Sequence, residues 1–395
     1  MPAKKVAVIG LGITGLSCVN FLCQQGYQVS VFDTRENPPG ADKLSAQVKL
    51  IKGPLCGKLL SAFALIIASP GIALATPALH SAAQAGCEII GDIELFARQL
   101  KTADYSHAKL VTITGSNGKS TVTSLLGEMA NEAGVKVAVG GNIGTPALDL
   151  LCPEIDLYIL ELSSFQLETT QSLEADIATI LNVSEDHLDR YDSYQDYAQT
   201  KQLIYEQSKK ALFNRDDRLT YPIADKLPKV SFGFDNSFYG LITDAQHKVF
   251  LAKEGNPLLA VELLKLSGKH NWMNALAAFA LGEAVNLDSD AMLRTLQTYS
   301  GLAHRCEFVA DVKGVRWIND SKATNVGATQ AALCGLSETI SGDLHVILGG
   351  EGKGADFSEL IAVLAEVKGT IVCFGKDAEK IARCNKRAQR VENLD

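Results

Sequence analysis

The stretch from Leu110 to Leu125, LVTITGSNGKSTVTSL, constrains this chain more than any other. Its β-branched run Val111-Thr112-Ile113-Thr114 reads as a buried strand that breaks at Gly115, Asn117 and Gly118. Lys119, Ser120 and Thr121 then open an apolar-periodic segment that reads as a helix. A strand, a glycine turn and a helix start in this order aim backbone N–H groups and the positive end of the helix dipole at one spot. Lys119 adds charge there, and a Ser120 or Thr121 hydroxyl can hold Mg²⁺. The spacing departs from the usual phosphate loop, because Thr114 stands five before Lys119 and Gly115 only four before it. The pattern predicts a nucleoside triphosphate cradle at Gly115, Asn117, Gly118, Lys119, Ser120 and Thr121; the alternative is a glycine turn that merely starts a helix.

A chain of 395 residues exceeds one ordinary core, so two or three domains are expected. With 47% hydrophobic and 21% charged residues it reads as a globular protein in water. The net charge of −8 opposes a nucleic-acid partner, whose phosphates want a basic face. Nine cysteines, odd in count and without a C-x-x-C pair, read as small core residues in a reducing compartment. No run of about eighteen apolar residues is present, and no apolar signal segment precedes the first strand, so a cytoplasmic protein without a membrane partner is expected.

At the start, Lys5 to Ile9 reads as a strand, Gly10-Leu-Gly12-Ile13-Thr14-Gly15 opens a helix, and Tyr27 to Phe32 runs into Asp33. This is a βαβ start with the dinucleotide fingerprint, and by itself it reads as an NAD-dependent dehydrogenase. Arg35 and the second cradle downstream leave another phosphorylated ligand equally open. A later strand, Ala64 to Ala68, ends in Ser69-Pro70-Gly71. Two such turns on one sheet edge favour a binding crevice over turns that are only structural.

Beyond the phosphate loop, Lys136 to Val139 leads into Gly140-Gly141-Asn142-Ile143-Gly144, and Leu157 to Leu160 delivers Glu161. An acidic strand end beside a phosphate loop suits a Mg²⁺ ligand, direct or through water; a solvated loop glutamate is the bland alternative. The next strand, Ile177 to Leu181, leads to His187. A neutral His187 can join Glu161 on one cation, but Mg²⁺ prefers oxygen, so a surface histidine stays equally open. Lys201 reads as an ordinary exposed helix lysine. Asn271 and Asn274 share one helical face, where they either cap the helix or hydrogen-bond a base or ribose. A strand at Arg316 to Ile318 ends in Asn319-Asp320-Ser321-Lys322-Ala323-Thr324-Asn325. With strands at Leu344 to Leu348 and Thr370 to Phe374, it predicts a third α/β sheet with parallel strands.

In combination, TGSNGKST, GGNIG, ELSSFQL, NVSEDHLDRY with a following lysine, GKHNWMNALAA, HRCE, INDSKATN and GGEGKGADF resemble the Mur ligase family over essentially the whole chain. The resemblance implies three α/β domains: a Rossmann-like uridine-diphosphate domain (1–93), a central ATP-binding phosphate-loop domain (94–300) and a C-terminal Rossmann-like domain (301–395). It places Ile13, Thr14, Asp33, Thr34, Arg35 and Gly71 on a uridine diphosphate, and Asn142 on the sugar-peptide part of that substrate. It implies ATP-phosphate and magnesium binding by Lys119, Ser120 and Thr121, with two Mg²⁺ ions expected and Mn²⁺ as an alternative. Glu161 and His187 are implied metal ligands, and Lys201 matches a lysine that carries a CO₂-derived carbamate. A lysine pushed towards its neutral amine can add CO₂ and become a carboxylate ligand. Asn271, Asn274, Arg305, Asp320 and Lys322 match nucleotide contacts, and Lys353 a contact to D-glutamate.

The implied activity is ATP-dependent joining of D-glutamate to UDP-N-acetylmuramoyl-L-alanine through an acyl phosphate, in peptidoglycan precursor synthesis, by a monomer. The family's chain runs on past the position of Asp395 with a Ser- and Phe-containing segment that helps hold D-glutamate. Poor joining of that amino acid is therefore expected of the residues present. Rival readings are a family member adding another amino acid, an NAD dehydrogenase and a non-catalytic nucleotide-binding protein. The folate-polyglutamate type lacks the N-terminal uridine domain, so Gly10 to Arg35 argue against it. TGSNGKST and the lack of any distinct hydride site argue against the dehydrogenase.

Overall fold

Short β-branched strands such as KVAVI and QVSVFD bury both faces only if helices cover both sides, which is the parallel-sheet solution. A computed structural model, which describes residues 4–186, 190–266, 268–337, 342–352 and 355–392, shows that arrangement first in a five-stranded sheet. Its strands β1 (Lys5–Ile9), β2 (Gln28–Asp33), β3 (Lys49–Lys52), β4 (Leu65–Ala68) and β5 (Glu88–Ile90) are all parallel, in the order β3-β2-β1-β4-β5. Val6, Val8 and Ile67 pack on one face with Val19 and Leu22; Ala7, Ile9 and Ile66 pack on the other with Leu79. The chain reverses its direction of travel across the sheet at β1, so a crevice opens there at the strands' carboxyl ends.

The second sheet has nine strands: β6 (Lys109–Thr114), β7 (Val137–Gly141), β8 (Leu157–Glu161), β9 (Ile177–Ile180), β10 (Ala211–Asn214), β11 (Lys229–Phe232), β12 (Tyr239–Thr243), β13 (Val249–Lys253) and β14 (Asn256–Ala260). The order is β14-β13-β12-β11-β10-β9-β6-β8-β7, with parallel pairing from β11 to β7 and antiparallel pairing among β12, β13 and β14. On one face, Leu125, Leu126 and Met129 of the helix Lys119–Glu132 meet Leu276 and Phe279 of the helix Lys269–Ala284. On the other, Tyr158, Tyr197 and Tyr205 share a core with Phe96 and with residues of the first sheet. Phe96 meets Tyr158 edge-on with ring centroids 5.3 Å apart, so the helix Asp92–Leu100, which runs across residues 93 and 94, is buried against both units.

The C-terminal region corrects one expectation. The strand expected at Arg316 to Ile318 does not join a parallel sheet. It is β16 (Val315–Asn319), paired antiparallel with β15 (Glu307–Val312) in a separate hairpin. Val312 opposes Val315 across a two-residue turn in which Lys313 (φ 52°) and Gly314 (φ 80°) are both left-handed. That turn matches the twist of two antiparallel strands; of its two residues, only Gly314 is of a type that favours it. The parallel sheet contains β17 (Val346–Gly349), β18 (Ile371–Phe374) and β19 (Gln389–Arg390) in sequence order. Among the described residues, no helix is long and apolar enough to cross a membrane.

Candidate active site

The loop after β6 lies at the carboxyl edge of the second sheet and is held from several sides. Asn117 N–H donates to Asn182 Oδ1 at 2.8 Å, and Asn182 Nδ2 returns a bond to the Asn117 carbonyl at 3.0 Å. Gly118 is left-handed (φ 79°), and a Cβ there would sit 2.5 Å from Asn274 Oδ1. Only glycine brings the backbone this close while the helix start stays aimed outward. Asn271 and Asn274 are buried on one face of their helix and bond to each other (Nδ2 of Asn274 to Oδ1 of Asn271, 3.1 Å). Gly268 occupies the cap position, so neither asparagine caps the helix.

Lys119 folds back over the loop, its Nζ donating to the carbonyls of Gly115 (2.8 Å) and Ser116 (2.9 Å). Lys201 donates to the same Gly115 carbonyl at 3.1 Å and lies 4.5 Å from the Tyr197 ring centroid. It is 2% exposed, which corrects the expectation of a surface lysine: the helix Tyr194–Glu206 turns this face onto the loop. Burial, and then the neighbouring Lys119 charge, push its pKa well below the ordinary lysine value, while Asp186 and Glu161 oppose the shift.

Glu161 ends β8 and is 2% exposed. Its Oε1 accepts from Asn142 Nδ2 at 2.7 Å, whereas its buried Oε2 has no hydrogen-bond partner among the described residues. A buried carboxylate oxygen left unpartnered is costly unless a cation or donor completes it. With the glycine cradle and buried hydroxyls at Ser120 and Thr121, the residues fit a magnesium-bound triphosphate. The expected metal ligand His187 and the expected amino-acid contact Lys353 lie outside the described residues.

The C-terminal unit reaches this loop. Arg305 Nη2 donates to Ser120 Oγ at 2.9 Å, linking residues far apart in the chain. Asp320 Oδ1 accepts from Cys306 N–H at 3.0 Å, and Lys322 N–H donates to the His304 carbonyl at 3.1 Å. These bonds join the HRCE turn to the DSK turn, while the Lys322 side chain stays exposed.

A second cleft, of about 380 Å³, opens at the edge of the first sheet and is lined by Ile13, Thr14, Asp33, Thr34, Arg35 and Gly71, together with Asn142 from the central unit. A Cβ on Gly15 would lie 1.9 Å from the Gly10 carbonyl, so this turn, too, requires glycine. Asp33 is fixed by Leu11 N–H (2.8 Å), Arg35 N–H (2.9 Å) and Arg35 Nε (2.8 Å). The guanidinium, foremost, holds its carboxyl down at about 2 from the ordinary 3.8. The sign follows: this pair stabilises the fold at and above the unfolded value, and that contribution is lost as pH falls from 3.8 through about 2. At neutral pH the pair is intact, and Arg35, half exposed at the cleft, keeps donors for an anion.

Several residues not singled out from the sequence complete the two sites. Gln166 lines the cleft and donates to the buried Asp92 at 3.0 Å. Asn182 braces the phosphate loop. Arg190 lies over the Phe165 ring at 4.3 Å and donates to the Pro70 (3.2 Å) and Ile72 (3.4 Å) carbonyls, strapping the cleft's loop to the central unit. Their signal was membership of ELSSFQL and NVSEDHLDR; nothing in the spacing says which polar residue of such a run turns inward.

Comparison with known proteins agrees with this layout. Residues 4–91 match the Mur ligase MurD-like N-terminal domain, 113–282 the Mur ligase middle domain and 304–394 the Mur ligase glutamate ligase domain. The chain is 52% identical to the UDP-N-acetylmuramoylalanine–D-glutamate ligase of Escherichia coli (strain K12), covering 99% of this chain and 88% of that protein. It is 51% identical to the ligase of the same name from Salmonella typhi, with the same coverage. Among solved structures, UDP-N-acetylmuramate-alanine ligase MurC from Thermotoga maritima superposes with a TM-score of 0.63 at 21% identity over 99% of this chain and 91% of that one. MurF from Acinetobacter baumannii gives 0.64 at 19% identity over 98% and 83%. These two likenesses bear on the fold alone. With all three domain models matched in order along a three-unit α/β fold, the chain belongs to the Mur ligase family.

Proposed function

We propose that this chain is the ATP-dependent ligase that joins D-glutamate to UDP-N-acetylmuramoyl-L-alanine in peptidoglycan precursor synthesis, acting as a cytoplasmic monomer. Three units divide the work: residues 1–93 hold the uridine diphosphate, 94–300 hold ATP, and 301–395 contribute nucleotide and amino-acid contacts, Lys353 among them. The observation that carries the reading is that Lys119 and a buried Lys201 converge on the Gly115 carbonyl, while Glu161, paired with Ile113 of the strand that feeds the loop, has a buried oxygen without a partner among the described residues.

The reaction proceeds in two displacements. A carboxylate oxygen of the L-alanyl end attacks the γ-phosphorus of ATP, the bond to the β-phosphate oxygen breaks, and ADP leaves. The amine of D-glutamate then attacks the acyl carbon, a tetrahedral intermediate collapses with loss of phosphate, and the amine sheds its proton. Lys119 and the loop N–H groups hold the phosphates and stabilise charge as it moves towards the leaving oxygen. Asn271, Asn274, Arg305, Asp320 and Lys322 orient the nucleotide. Ser120, Thr121, Glu161, His187 and a modified Lys201 would hold two Mg²⁺ ions, which supply charge neutralisation at the phosphates when bound. The modification needs the amine neutral: its lone pair bonds to the carbon of CO₂, one proton leaves to solvent, and an N-carboxylate results.

The uridine reading of the first cleft has its own test. Arg35→Ala should weaken binding of the UDP-linked substrate by about 1–3 kcal/mol, the scale of one charge-assisted bond, and NAD should bind weakly or not at all. Calorimetry reads both; micromolar NAD binding that uridine nucleotides fail to compete would restore the dehydrogenase reading. The acyl phosphate is tested with substrate carrying ¹⁸O in the alanyl carboxylate. Ligation should deliver one labelled oxygen to each phosphate released, and unlabelled phosphate would rule out the two-step route.

A further inference from the structure

The start of the helix Val326–Ser337 sits directly on the phosphate loop. Asn325 caps it, its Oδ1 accepting Ala328 N–H at 2.8 Å. The same side chain's Nδ2 donates to Asn117 Oδ1 at 3.1 Å and to Asp186 Oδ2 at 3.4 Å. The Asn117 backbone is meanwhile held by Asn182, and its Nδ2 donates to Ser184 Oγ at 3.2 Å. The seat is tight: a Cβ on Gly327 would lie 3.1 Å from Ser184 Oγ and 3.5 Å from Asn117 Nδ2. Asn182, Asn117 and Asn325 thus form an amide chain from the end of β9 through the loop to the C-terminal unit.

We propose that Asn325 is a positioning residue that ties the C-terminal unit to the phosphate loop through the Asn117 side chain, so that ATP binding and the seating of that unit are coupled. This rests on the reading of the loop as an ATP site. An amide does two jobs at once here. Its oxygen ends the helix while its nitrogen reaches across to Asn117, and a shorter hydroxyl caps equally well but does not span the gap.

That difference sets the test. Asn325→Ser, Asn117→Ala and the double variant are compared with the wild-type chain by calorimetric titration with Mg²⁺-ATP and by thermal unfolding without nucleotide. Asn325→Ser should lower the unfolding midpoint no further than Asn117→Ala does, because serine retains the cap, yet bind ATP about tenfold more weakly than the wild-type chain, the scale of one lost hydrogen bond. The double variant should lose less affinity than the sum of the two single losses, because the two side chains share one contact. Unchanged ATP affinity in Asn325→Ser, additive losses in the double variant, or an unfolding midpoint for Asn325→Ser below that of Asn117→Ala would each overturn the inference. In those cases wild-type ATP binding still supports the proposed function. A wild-type chain that does not bind ATP would overturn both.

Discussion

Lys119→Ala is expected to lower ATP turnover at least about a hundredfold while leaving affinity for the UDP-linked substrate unchanged. The size follows from removing a charged donor from developing negative charge in a site partly closed to water, where its effect is far larger than at an exposed surface. The selectivity follows from placement: Lys119 bonds to Gly115 and Ser116 at the second sheet's edge, whereas the cleft of Asp33 and Arg35 belongs to the first sheet. The fold should survive, because Lys119 bonds to its own loop and lies outside the buried core clusters. Steady-state ADP release and calorimetry with the UDP-linked substrate check the two halves. Loss of uridine-substrate affinity alongside turnover would show that the sites are not divided between the two sheets.

Lys201→Ala is expected to be inactive yet folded, and short carboxylic acids should partly restore turnover by supplying the oxygens of the proposed carbamate. Lys201→Arg should stay inactive, since a guanidinium at this site does not add CO₂. Lys201→Met isolates the charge. In CO₂-free buffer the wild-type chain should gain stability as pH rises towards the ordinary lysine value of 10.5, because the unfolded chain then holds a proton that the folded chain lacks. The methionine variant should lose that rise. A fully active Lys201→Ala or Lys201→Arg, or a pH dependence that Lys201→Met leaves unchanged, would contradict this account of the buried amine.

How much of this was legible depended on whether a residue's role is local. Glycine turns at Gly10–Gly15 and Gly115–Gly118 announce themselves because their geometry admits only glycine at Gly15 and Gly118, and the strands feeding them are β-branched. The cleft residues Asp33, Arg35 and Gly71 sit at strand ends, where a parallel sheet puts its ligands, and the structure gathers them with Asn142. The burial of Lys201 is not legible from its residues because a helix lysine carries no mark of it; only packing of Tyr194–Glu206 on the Gly115 loop reveals it. The β15–β16 hairpin is hidden in the sequence because its turn is Lys313-Gly314, without the Asn-Gly or Asp-Gly pair that marks such turns. Gln166, Arg190 and Asn325 act across units, through partners far away in the chain, and no local pattern encodes such a partner.

The central claim is tested most directly by ADP release from the wild-type chain with UDP-N-acetylmuramoyl-L-alanine, ATP and Mg²⁺, across D-glutamate, L-glutamate, D-aspartate, L-alanine and L-lysine, with the product identified by mass. The account predicts release that depends on the UDP-linked substrate, is stimulated more by D-glutamate than by the other four amino acids, and yields the amide of D-glutamate. Stimulation by another amino acid in preference to D-glutamate, or ADP release with no amide formed, would contradict it.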